Sequence, residues 1–133
     1  NRLKMDEVPK TAIETDDMLP AIAQGAIGIE RRSDDVRAKE MLSAIHDTPT
    51  GQRLAAERTF LAELDGSCET PIAGLAELTG DTIRLRGEVL RPDGSTSHAD
   101  EISGSIADGA ALGKTLARTL LDRAGPGFFD WHT

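Results

Sequence analysis

The feature that most constrains this chain is a change of hydrophobic period. Between residues 50 and 124 the apolar positions recur at helical spacing, then alternate, then return to helical spacing. Leu54, Ala55, Leu61 and Leu64 predict a helix over about 50–64, stopped at Asp65-Gly66, where glycine supplies a permissive end. After Cys68 the period becomes two. Ile72, Ala76 and Leu78 begin a strand, Thr79-Gly80-Asp81 turns the chain, and Ile83, Leu85 and Val89 alternate with Arg84, Arg86 and Glu88. Pro92-Asp93-Gly94 is a hairpin turn, followed by a weaker strand over about 96–104. Asp108 is placed to cap a last helix whose face carries Leu112, Leu116, Ala117, Leu120, Leu121 and Ala124, ended by Gly125-Pro126-Gly127. A half-buried strand needs one covered face. The reading is therefore an α+β module: a three-stranded antiparallel sheet with helices on one face, the other presenting Arg84, Arg86 and Glu88 to solvent or to another domain.

The N-terminal third does not complete such a module. Residues 1–19 have no convincing period, and the first residue is Asn rather than Met, which reads as the end of something larger. Residues 22–30 (IAQGAIGIE) are small or β-branched and read as a strand buried on both faces. No other segment nearby supplies a sheet for it, so it is expected to join one built by other sequence. A short helix with Ala38, Met41, Leu42 and Ile45 follows, capped by Ser33 or Asp34, and Thr48-Pro49 separates it from the next.

Composition excludes several functions. With 133 residues, 23 acidic against 15 basic side chains, a net charge of −8, three Phe, one Trp and no Tyr, the chain lacks the basic stripe and stacking rings of a nucleic-acid surface. No apolar run approaches the roughly 20 residues of a membrane span. The single cysteine allows no internal disulfide and points to a reducing, cytoplasmic compartment. His46, His98 and His132 lie too far apart for a metal-ligand spacing, so no metal is expected. Asp108–Thr115 (DGAALGKT) imitates a phosphate loop, but only three residues separate Gly109 from Gly113, and a carboxylate at Asp108 repels phosphate.

Cys68 remains. It lies in Gly66-Ser67-Cys68-Glu69-Thr70-Pro71, between the helix and the first strand, with small neighbours that leave the sulfur accessible. A helix C-terminus precedes it, and that negative end does not lower a thiol pKa. The position suits an attachment point better than a turnover nucleophile.

These residues are recognisable. Glu57-Arg58-Thr59-Phe60-Leu61 through Gly66-Ser67-Cys68-Glu69-Thr70-Pro71-Ile72-Ala73 resembles the cofactor-attachment signature of the porphobilinogen deaminase (hydroxymethylbilane synthase) family. Leu19–Glu30 (LPAIAQGAIGIE) and the hairpin Pro92-Asp93-Gly94-Ser95 are similar to further family stretches. The resemblance implies a transferase of tetrapyrrole and heme biosynthesis that polymerises four porphobilinogen molecules into linear hydroxymethylbilane with release of ammonia. It implies a dipyrromethane cofactor joined by a thioether to Cys68, with Gly66 and Ser67 forming the attachment loop. It also implies three domains: residues 1–19 end domain 2, residues 20–46 return to domain 1, and residues 47–133 form the C-terminal cofactor-attachment domain. The catalytic aspartate and arginine-rich cleft of the family belong to domains 1 and 2. No catalytic residue is therefore expected in this chain, which alone should be inactive, while the complete enzyme is expected to be a monomer. Arg58 is expected to hold the attachment loop. The competing reading is a stand-alone, non-catalytic α+β binding or interaction module with an ordinary cysteine.

Overall fold

A computed structural model describes residues 7–65 and 70–130. Cys68, Gly66 and Ser67 lie outside the described residues, as does His132. The elements follow in the order α1 (Val36–Ser43), α2 (Thr48–Glu63), β1 (Ile72–Thr79), β2 (Thr82–Leu90), β3 (Ser97–Ser105), a single 3₁₀ turn (Ile106–Asp108) and α3 (Gly109–Ala124). The sheet is antiparallel in the order β1-β2-β3, with Ile72 opposite Val89 and Leu85 opposite Ile102. The α+β module is thus as the periodicity predicts.

Asp47 accepts the Thr50 N–H and starts α2, with Pro49 in its first turn, where a missing N–H costs nothing. The buried stripe of α2 is Ala56, Glu57, Phe60 and Leu64, while Leu54 and Leu61 are half-buried and Ala55 is exposed. α3 buries Gly109, Gly113, Leu116, Ala117 and Leu120. Both helices cover the face of the sheet formed by Ile72, Ala76, Ile83, Leu85 and Val89. Two close approaches depend on missing side chains. A Cβ at Gly113 would lie 2.3 Å from the Ala56 carbonyl oxygen, so the two helix backbones touch. A Cβ at Gly87 would lie 2.5 Å from Cζ of Phe60, so that ring rests directly on β2. Gly113 is a packing residue. Asp108 precedes α3 without capping it through its side chain; Ser105 instead accepts the Ala107 N–H and caps the 3₁₀ turn.

Residues 22–30 depart from the sequence reading, because they form no strand. Their neighbourhood makes one isolated bridge, Ala21 opposite Ala73, and the chain then leaves the sheet with Ile27 91% and Ile29 57% exposed. A strand buried on both faces needs a sheet with both faces covered, and the sheet it was expected to join, built by other sequence, is not among the described residues. α1 begins at Val36, with Asp35 rather than Ser33 or Asp34 as its cap. It ends before Ile45, and leaves Met41 and Ile45 exposed.

Candidate functional site

The described residues on either side of the segment that carries Cys68 are both fixed. On one side Leu64 is buried and closes the last turn of α2 through its N–H to the Phe60 carbonyl. Asp65 then turns out of the helix at φ +52, a left-handed conformation that Asp tolerates better than most residues. On the other side Pro71 has a fixed φ, its carbonyl accepts the Leu90 N–H at 3.0 Å, and Ile72 enters the core. Residues 66–69 therefore join a helix end to a strand start that are both anchored in one core. The last turn of α2 is also tied sideways. Glu63 accepts from Arg118 Nε at 2.7 Å, which holds its carboxyl below the usual carboxylate range, and Lys114 lies 3.7 Å away.

Beside these fixed residues runs the outer edge of β1, whose unpaired N–H groups would otherwise be open. They are closed by residues 20–23 and by Glu57. Gly74 N–H bonds the Pro20 carbonyl at 3.0 Å. Glu57, 5% exposed, takes the Ala76 N–H on Oε1 and the Ala23 N–H on Oε2, both at 2.8 Å. Ala23 sits at φ +59, so this carboxylate holds a strained alanine against the sheet edge. Arg58, expected to hold the loop, is exposed. Its neighbour Glu57 is the buried, bonded member of the pair. The signal was a carboxylate three residues after Leu54 and four before Leu61, on a face otherwise apolar.

The uncovered face of the sheet carries the arginines that the alternation placed there, but they are not free cations. Arg84 is paired with Glu101 and lies 3.8 Å from Glu77. Arg86 is only 8% exposed, so of the two positions expected for this face, toward solvent or toward another domain, it does not take the first: residues 15–16 fold over it. Two shallow grooves flank this contact. One, of about 310 Å³, lies between residues 15–19 and the sheet and presents Asp16, Asp17, Glu88, Asp100 and Glu101 around Arg86. The other, of about 530 Å³, lies between residues 23–26, α2 and the β1 edge, over Glu57. The first holds only the ion-paired Arg86 and the second a single arginine, Arg53, beside Glu57 and Glu77, so neither gathers the several positive charges that an oligocarboxylate would require. Among the described residues no group of three or more metal-ligating side chains converges, and no helix is long and apolar enough to cross a membrane.

Two family models match the chain. Residues 52–122 match the family described as "Porphobilinogen deaminase, C-terminal domain", a span that runs from the first turns of α2 almost to the end of α3. Residues 1–40 match "Porphobilinogen deaminase, dipyromethane cofactor binding domain". The chain is 60% identical to porphobilinogen deaminase of Paracoccus denitrificans over 130 residues, which is 98% of this chain and 42% of that protein. It is 49% identical to porphobilinogen deaminase of Nitrobacter hamburgensis over 129 residues, 97% of this chain and 41% of that relative. The chain thus spans about two-fifths of the length of the curated relatives it matches.

Proposed function

This chain belongs to the porphobilinogen deaminase family, and from that premise we propose that it is the C-terminal portion of a hydroxymethylbilane synthase, the transferase that links four porphobilinogen molecules into linear hydroxymethylbilane with loss of ammonia. The observation that carries the proposal is the family match over residues 52–122, because that span contains residues 66–69 together with all three strands and most of both helices, α2 and α3, that flank them. In this reading residues 1–19 close domain 2, residues 20–46 return to domain 1, and residues 47–133 form the domain that bears the cofactor.

Cys68 is the proposed attachment point of dipyrromethane. The donor set fits a covalent organic group: one thiol, with Gly66 and Ser67 before it and Pro71 after, on a loop strung between Leu64 and Ile72. The bound cofactor supplies the pyrrole terminus from which the chain grows. The residues of this chain supply position. Cys68 holds the thioether, Asp65 and Pro71 fix the ends of its loop, and Glu57 and Glu63 tie the supporting helix to the sheet edge and to α3. The net charge of −8 and the ion-paired arginines argue that carboxylate recognition and proton transfer belong to the rest of the enzyme. The enzyme is proposed to work as a cytoplasmic monomer.

Cys68→Ser in the full-length enzyme tests the assignment. Serine keeps the size but replaces a soft sulfur nucleophile with a far weaker alcohol. The variant is expected to fold, to carry no stable pyrrole adduct and to form no hydroxymethylbilane. Wild-type product formation by that variant refutes the assignment.

A further inference from the structure

Residues 7–18 are exposed, yet Thr15 and Asp16 are held by a guanidinium that is almost out of water. Arg86 Nη1 donates to the Thr15 carbonyl at 3.2 Å and to Asp16 Oδ1 at 2.6 Å, and Nη2 donates to Thr15 Oγ1 at 3.1 Å. Glu77 Oε2, one strand away, lies 3.1 Å from Nη2 and balances the charge. Burying an arginine costs several kcal/mol unless its donors are met, roughly the scale for any ion taken into a protein interior. Here Nη1 and Nη2 meet a backbone carbonyl, a hydroxyl and a carboxylate of two consecutive residues, while Nε is buried without a hydrogen-bond partner among the described residues. Such a set reads the path of the chain as well as its charge, and a planar fork serves it where a point charge would not. On the other side of β1, Glu57 fixes Ala23. Residues 15–23 thus cross β1 from its uncovered face to its edge, and a side chain of the module holds each end.

We propose that Arg86 is a positioning residue of the reaction: with Glu57 it pins residues 15–23 to β1, and so fixes the cysteine loop, two residues before β1, relative to the rest of the enzyme. The proposal rests on the functional reading above, in which residues 15–23 straddle the passage from domain 2 to domain 1 and Cys68 carries the primer. A pinned passage gives the tethered chain a defined place from which to meet one reaction centre. Loss of such orientation lowers the rate of the chemical step more than it weakens substrate binding.

The test uses the full-length enzyme with Arg86→Gln, Arg86→Lys and Asp16→Ala, followed by hydrogen exchange of residues 12–19 and by steady-state kinetics. Arg86→Gln is expected to speed exchange across 12–19 and to lower kcat about tenfold with KM unchanged. Arg86→Lys keeps the charge but not the fork, and should recover only part of both. The Asp16 side chain is 86% exposed, so Asp16→Ala leaves the fold intact and should move both readouts the same way by a smaller factor. Unchanged exchange at 12–19 in Asp16→Ala and Arg86→Gln overturns the proposal, as does a loss of thermal stability with kcat and KM both at wild-type values. Intact mass of the same wild-type sample separates this from failure of the functional reading. A two-pyrrole adduct on Cys68 with no Arg86 effect sinks the positioning role alone. An active wild type with a free Cys68 thiol sinks the reading on which it rests.

Discussion

Gly113→Ala should destabilise the protein although alanine is the best helix former and Gly113 lies inside α3. Helix propensity alone favours the substitution by about 1 kcal/mol. Against it, the new Cβ would sit 2.3 Å from the Ala56 carbonyl oxygen and 3.1 Å from the Phe60 nitrogen. Both are backbone atoms of α2, so no rotamer change relieves the clash, and the helices must separate by about 1 Å to restore ordinary contact. Overpacking of this kind costs about 1–3 kcal/mol, and the parting also loosens Phe60 over Gly87. A clash with backbone lies at the upper end of that range, about 3 kcal/mol, so the net expectation is a loss of about 2 kcal/mol. Gly109→Ala, one helical turn earlier, supplies the contrast. Gly109 is already helical at φ −49, and its Cβ would meet Ala56 and Ile83 at 3.5 Å, an ordinary contact. It should gain about 0.5 kcal/mol. Urea unfolding followed by far-ultraviolet circular dichroism measures both. If Gly113→Ala is as stable as the parent or more so, the backbone contact between α2 and α3 does not limit this module and the packing argument is wrong.

Phe60→Ala should cost about 3–5 kcal/mol, because it empties most of the space above Gly87, which only Leu116 Cδ2 then borders at 3.1 Å from the position of a Cβ there; a loss under 1 kcal/mol in the same unfolding assay would contradict this. Glu57→Gln leaves one acceptor oxygen for two backbone N–H groups and should cost about 1–3 kcal/mol, with faster amide exchange at Ala76 or Ala23 by NMR. Asp47 has a folded pKa below its ordinary value because of its hydrogen bonds to Thr50. Its contribution to stability is therefore complete above the usual carboxylate range and is lost as pH falls through the lowered value. Asp47→Asn keeps an acceptor for the cap and should flatten that part of the acid limb in melting temperatures read from about pH 6 to pH 3, whereas an unchanged limb would mean the cap carries no pH dependence.

The module from α2 to α3 was legible because each element carries its own punctuation. Asp65-Gly66, Thr79-Gly80-Asp81, Pro92-Asp93-Gly94 and Gly125 mark the ends, and the periods between them differ. Within α2 the stripe was misplaced by a residue or two, since Leu54 and Leu61 are stronger apolar signals than Ala56, although Ala56 is what lets Gly113 approach. The segment 22–30 forms no strand in this chain for a physical reason. Small and β-branched residues report a capacity to be buried in a sheet, but the sheet must be present, and one edge already closed by Pro20, Ala21 and Glu57 does not provide it. The contacts of Thr15, Asp16 and Ala23 were not legible because each partner is distant in sequence, at separations of 34 to 71 residues. Alternation assigned Arg86 to the uncovered face correctly; it carried no information on what would lie over that face.

The attachment of a pyrrole primer at residue 68 is the centre of this account, and peptide mass mapping of the purified full-length enzyme addresses it most directly. The account predicts that the peptide spanning residues 59–84 carries the mass of two linked pyrrole units, that fragmentation places it on Cys68, and that Cys68→Ser lacks it. A fully active enzyme whose Cys68 is an unmodified thiol, or whose pyrrole adduct maps to another residue, would contradict it.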